Sequence, residues 1–147
     1  KAPGRVEWKT FATSRNTIDR ELLRFKTVGG MLKNVLDKRI PELAARHSRA
    51  MLDECCQALP MAPADIAGWI IHAGGRDVLA AVRAALGLRE DDLRWSEGVL
   101  REFGNVSSPS VLFTLKAALE GGQSPGWWFM SSFGAGISCH GALLRVE

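Results

Sequence analysis

Between Gly68 and Gly75 the chain reads Gly-Trp-Ile-Ile-His-Ala-Gly-Gly, and this stretch limits the fold more than any other. The run from Gly68 to Ala73 is apolar apart from His72 and shows no polar alternation, so both of its faces need cover. It is also too short for a helix that crosses a core. Such a run is consistent with a strand buried on both faces, as in the central strands of α/β sheets. A sheet of that kind needs helices against it, and the rest of the chain has to supply them.

The remaining segments divide accordingly. Val6 to Ser14, with Trp8, Thr10 and Phe11, reads as a strand and is followed by polar residues Arg15 to Asp19. Leu22 to Val28 reads as a second strand, turned by Gly29-Gly30. From Pro41 to Leu59, residues Leu43, Ala44, His47, Met51 and Cys55 fall at three- and four-residue steps, the mark of an amphipathic helix. Pro41 suits its first turn, and Pro60 and Pro63 break it. Arg76 to Leu86 reads as a helix with Val78, Leu79, Val82, Ala85 and Leu86 inward and Gly87 as its stop. Ser107-Ser108-Pro109 opens another helix, with a face of Val111, Leu112, Leu115, Ala118 and Leu119, ended by Gly121-Gly122. Trp127 to Ser132 and Ile137 to Val146 read as strands around a glycine-rich corner. The sum is one α/β domain over residues 1–147, a five-stranded mixed sheet covered by about four helices.

Composition narrows the function classes. A hydrophobic fraction of 46% is enough for a core, and no apolar run reaches the length of a membrane span. No signal-peptide pattern opens the chain, which starts at Lys1 without a methionine and so reads as a processed product or a fragment. The three cysteines, Cys55, Cys56 and Cys139, have no disulfide-like spacing, so a reducing, cytoplasmic setting is expected. The net charge is +3, with most basic residues in the first 50, among them Arg20, Arg24, Lys26, Lys33, Lys38, Arg39, Arg46 and Arg49. Such a section attracts phosphate-rich partners or is a solvated surface. No aromatic residues interleave with it in the way single-stranded nucleic acid requires, so nucleic acid is not an expected partner. No HExxH, paired cysteines or carboxylate cluster suggests a metal.

Two residues stand out as candidates for chemistry. His72 ends the buried run, and functional side chains of open α/β sheets collect at the carboxyl ends of strands. Its imidazole is either a donor at such a site or a core histidine satisfied by a backbone carbonyl. Asn105 stands in Gly104-Asn105-Val106-Ser107-Ser108, just before a helix start, and is either a fixed donor or an ordinary cap. Together, a His donor and an Asn donor aimed at one carbonyl oxygen would make an oxyanion hole able to stabilise an enolate. The cysteines read as structural. Cys55 and Cys56 lie within a helix rather than at its N-terminus, and Cys139 and His140 project to opposite faces of a strand. His47 reads as structural too. The corner Phe133-Gly134-Ala135-Gly136 reads as a tight bend lining a cavity. Trp127, Trp128, Phe129 and Met130 read as core or as the wall of an acyl pocket.

Taken jointly, these motifs resemble the chalcone and stilbene synthase family, the type III polyketide synthases, in its C-terminal half. Trp69 to Gly75 matches the family's Trp-x-Ile-His-Pro-Gly-Gly, Gly104 to Ser108 its Gly-Asn-Met-Ser-Ser, and Ser132 to Gly136 its Gly-Phe-Gly-Pro-Gly corner. Ile40-Pro41-Glu42-Leu43 resembles the Val-Pro-x-Leu that follows the family's gatekeeper region. The resemblance implies half of a thiolase-like fold, with His72 and Asn105 as catalytic residues. It implies Ser107, Phe133, Gly134, Ala135, Gly74 and Gly75 around the substrate. It further implies an acyl-CoA starter, malonyl-CoA as extender, and cyclisation of the product, with coenzyme A thioesters as substrates and no separate cofactor.

The departures from the family pattern are Ala73 and Ala135 for two prolines, Ser132 for a glycine, and Cys139-His140-Gly141 for the plant pattern. The combination is similar to bacterial members that use long fatty-acyl starters and make alkylresorcinols or alkylpyrones. The family's gatekeeping Phe falls near Lys33-Asn34, where no aromatic stands. Its nucleophilic cysteine belongs to an N-terminal half, and nothing in this sequence matches its surroundings. The expected partners are therefore that cysteine-bearing half and, by the family's habit, a second copy in a homodimer. The fragment alone is expected to be inactive. Two other readings stand beside this one. An initiating-type ketoacyl synthase also uses His and Asn, but shows His-Gln-Ala-Asn where this chain has His72-Ala73-Gly74-Gly75. A non-catalytic binding or assembly domain would account for the missing nucleophile.

Overall fold

The computed structural model describes residues 4–147; residues 1–3, the start of the expected domain, lie outside them. Four strands form a mixed sheet: β1 (Val6–Arg15), β4 (Ile66–Ile71), β5 (Gly126–Gly134) and β6 (Ser138–Val146). Their order is β1-β6-β5-β4, with β4 parallel to β5 and the other neighbours antiparallel. The expected fifth strand is not in this sheet. The segment expected to supply it is β2 (Leu23–Val28), which pairs only with β3 (Met31–Leu36) in a separate hairpin. Gly29 and Gly30 turn that hairpin with φ of 59° and 77°, a conformation suited to a tight two-residue loop.

Strand alternation distributes apolar side chains to both faces of the sheet. Trp69, Ile71, Phe129, Phe133 and Leu143 join one core with α1 (Ile40–Gln57) and α2 (Arg76–Leu86). Ile70, Trp128, Met130, Ala142 and Leu144 join a second with Val111 and Ala118 of α4 (Ser110–Glu120). The expected double burial of the Gly68–Ala73 run has this origin. Gly68 is needed for it, because a Cβ there would come within 2.7 Å of the Trp128 indole.

Helix α3 (Arg94–Phe103) packs beside α4 and went unread, although Trp95, Val99 and Phe103 recur at four-residue steps along it. Helix α4 begins at Ser110, one residue after the proline expected to open it. Ser107 has a φ of 63°, outside the helical region, and Pro109 flanks the helix without a side-chain cap.

Beyond α4, the same sheet face is open over β1 and β6. Trp8 and Phe11 are exposed there, and a groove of about 500 Å³ runs between Phe11, Leu112, Met130 and Ala142.

Candidate active site

Strand β4 is at the edge of the sheet, so alternate N–H groups on its outer side lack a ladder partner. Buried serines take them: Ser96 Oγ accepts from Ile71 N at 3.2 Å, and Ser110 Oγ accepts from Ala73 N at 3.1 Å. On the inner side His72 N donates to the Ser131 carbonyl of β5 at 2.9 Å. His72 is thus carried to the end of the strand on a backbone satisfied on both sides, as buried amides require. The chain then reverses at Ala73, where Gly74 N donates back to the His72 carbonyl at 2.8 Å.

Segment 105–110 meets this reversal. Asn105 Oδ1 accepts from Ser107 N at 2.9 Å, and its Nδ2 donates to the Gly74 carbonyl at 3.0 Å. Two backbone groups therefore fix which way the amide points. Its oxygen also faces His72 Nε2 at 3.3 Å, which puts the imidazole proton on Nε2. The other nitrogen, Nδ1, is buried and has no hydrogen-bond partner. Phe133 stacks on the ring, with centroids 4.5 Å apart and planes 14° from parallel. Burial pushes the imidazole below its ordinary value of 6.5, against weaker opposing effects of Asn105 and the Phe133 backbone. At neutral pH the ring is uncharged and donates from Nε2.

A cavity of about 180 Å³ opens beside the pair. Of the residues expected around the substrate, Gly74, Ser107, Phe133, Gly134 and Ala135 line it together with His72 and Asn105. Gly75 does not. It is the residue before α2, at φ 145°, and faces a neighbouring groove with Arg76, Arg83 and Arg101. Residues that sequence reasoning missed complete the wall: Leu23, Arg24, Phe25, Asn34 and Leu36 from the hairpin, Ile40 from α1 and Val78 from α2. Phe25 stands opposite Asn34 in the hairpin register, so an aromatic enters the cavity from the strand that neighbours the expected gatekeeper position. The glycine turn and the alternation of Leu23 and Phe25 were the available signal.

The three cysteines are buried, and none lines the cavity. Burial pushes the Cys55 thiol up to about 11 and the Cys139 thiol up to about 12, and raises Cys56 as well. Among the described residues no group of three or more His, Cys, Asp or Glu is placed to hold a metal. No helix among them is long and apolar enough to cross a membrane. Of the basic first third, Arg24 lines the cavity and pairs with Glu21, while Arg20, Arg39, Arg46 and Arg49 pair with carboxylates at the surface.

Residues 11–147 match the model of the C-terminal domain of chalcone and stilbene synthases. The chain belongs to the chalcone and stilbene synthase family. It is 36% identical over 118 residues to the 3,5-dihydroxyphenylacetyl-CoA synthase of Streptomyces toyocaensis, covering 79% of this chain and 30% of that relative. The chain thus spans about a third of such a relative's length. Among solved structures, PKS-I of the brown alga Ectocarpus siliculosus superposes with a TM-score of 0.80 at 26% identity, over 97% of this chain and 40% of that one. The C-terminal type III polyketide synthase domain of Steely1 from Dictyostelium, at 20% identity, shares the fold with a TM-score of 0.86 over 96% of this chain and 40% of that one. The chain thus carries the C-terminal domain of that family and shares the fold of its solved members.

Proposed function

We propose that this chain supplies the oxyanion-holding half of an enzyme that condenses an acyl-CoA starter with malonyl-CoA and cyclises the product. The carrying observation is the His72–Asn105 pair at 3.3 Å on the wall of a cavity. Loss of carbon dioxide from a malonyl thioester leaves an enolate with its charge on the thioester oxygen. His72 Nε2–H, kept in place by its contact with Asn105 Oδ1 and by the Phe133 stack, donates to that oxygen. The second N–H of Asn105 Nδ2, not used by Gly74, joins it. Two donors fixed by the backbone stabilise charge as it develops without reorganising at that moment. The same pair holds the carbonyl oxygen during loading and condensation. Phe133 limits rotation of the imidazole by stacking on it.

The working enzyme is a homodimer by the family's habit, and its nucleophile comes from a second, N-terminal thiolase-like half. Two features support a nucleophile from elsewhere. All three thiols here are buried with raised pKa values, and only the thiolate attacks a thioester. Asn105 and Ser107 are exposed, so the cavity is open on the side where a partner half would close it. Coenzyme A thioesters are the substrates and no metal or separate cofactor takes part.

The starter is a fatty acyl group, as in alkylresorcinol formation; a product like the 3,5-dihydroxyphenylacetyl-CoA named for the Streptomyces relative is the second reading. Product analysis by mass spectrometry decides, using the protein carrying both halves with malonyl-CoA and acyl-CoAs of graded length. Cyclised polyketide from that protein and none from residues 1–147 alone is the expected result. Robust product from residues 1–147 alone would overturn the half-site reading.

A further inference from the structure

Segment 105–110 grips the three residues at the end of β4 one by one. Asn105 Oδ1 meets His72 Nε2, Ser110 Oγ accepts from Ala73 N, and Asn105 Nδ2 donates to the Gly74 carbonyl. The middle contact touches no substrate and has no role in the reaction proposed above. It is nevertheless fully enclosed: Ala73 and Ser110 are both 0% exposed. No water can replace the hydroxyl if it is lost.

We propose that Ser110 is a positioning residue for His72: its hydroxyl takes the Ala73 amide and so holds the strand end at which the imidazole faces Asn105. The proposal rests on the reading of His72 as an oxyanion donor. Ser110 is suited to the task because it is itself fixed. It stands at the first residue of α4, its amide donates to the Ser107 carbonyl at 2.9 Å, and its carbonyl accepts from Thr114 Oγ1 at 3.0 Å. Ser107 in turn donates to Asn105. The hydroxyl that places His72 and the amide that faces it therefore belong to one hydrogen-bonded segment, and their spacing is set by that segment.

The reversal at Ala73 also offers a way to remove the need for Ser110. The bond from Gly74 N to the His72 carbonyl makes Ala73 the centre of a three-residue turn. Ala73 is not among the residues with positive φ, so the turn is the inverse form, whose central φ lies near that of proline. Proline has no N–H to leave unpartnered, and Ser110→Ala removes the hydroxyl that its ring would meet.

The test uses the protein carrying both halves, labelled with ¹⁵N-histidine, and reads carbon dioxide release from malonyl-CoA together with the His72 ring signals. Ser110→Ala leaves a buried amide unpartnered and is expected to lower kcat about tenfold with KM nearly unchanged, and to shift the His72 signals. Ala73→Pro/Ser110→Ala removes donor and acceptor together and is expected to restore both. Ser96→Ala leaves the Ile71 amide equally unpartnered but further from the turn, so it is expected to lower the melting temperature as much while moving kcat and the His72 signals less than Ser110→Ala does. A Ser110→Ala protein with parental kcat and His72 signals, or a double variant no better than the single one, would overturn the proposal. Full carbon dioxide release by His72→Ala would instead remove the donor reading. The ring signals would then decide on Ser110 alone, an unmoved signal overturning its positioning role.

Discussion

At the scale of single residues, the site turns on an imidazole kept neutral by its surroundings. His72 is buried and stacked, and His47 is likewise shifted below its ordinary value, first by burial and then by Arg46. A histidine whose folded-state pKa is depressed takes up protons more readily when unfolded. Its contribution to stability is therefore complete above the unfolded value of 6.5 and is lost as pH falls below it toward the folded values. The urea midpoint is expected to hold from pH 8 to about 7 and to decline between about 6.5 and 5.5. His47→Gln/His72→Gln should flatten that decline, and a parental midpoint independent of pH over this range would contradict it. His72 and Asn105 were legible as candidates because a strand-end histidine and a pre-helix asparagine are distinctive in sequence. Their hydrogen bonds were not, because they depend on Ser107 and Gly74, whose amide and carbonyl carry no side-chain signature.

At the scale of elements, the buried strand, the amphipathic α1 and the short α2 were legible because periodicity reports burial directly. The hairpin was only half legible. Leu23 to Val28 alternates, whereas Met31-Leu32-Lys33-Asn34-Val35-Leu36 shows neither helical nor strand periodicity, so β3 went unread. Whether a strand joins the main sheet or a hairpin of its own is a tertiary matter that local pattern does not encode. The consequence is functional, since the hairpin brings Leu23, Phe25, Asn34 and Leu36 to the cavity. Phe25 is the largest of these and lies beside open space. Phe25→Ala in the protein carrying both halves is expected to shift the product mixture toward longer chains, measured by mass spectrometry. A mixture identical to the parent's would exclude the hairpin from control of product length.

At the scale of the whole molecule, the chain reads as one side of a larger core. The exposed face of β1 carries Trp8 and Phe11, and α4 adds Leu112 beside the same groove. Open apolar surface of this kind marks a missing partner. The isolated chain is expected to bind a hydrophobic dye or to self-associate at micromolar concentration, read by fluorescence and sedimentation, and a compact, dye-silent monomer would contradict this. The central claim is narrower: His72 and Asn105 act together on a thioester oxygen. Carbon dioxide release from malonyl-CoA tests it most directly, in the protein carrying both halves, for His72→Ala, Asn105→Ala and the double variant. Loss of each donor is expected to reduce the rate by about a hundredfold or more, with the double variant little worse than either single one. Near-parental release by either single variant would contradict the claim.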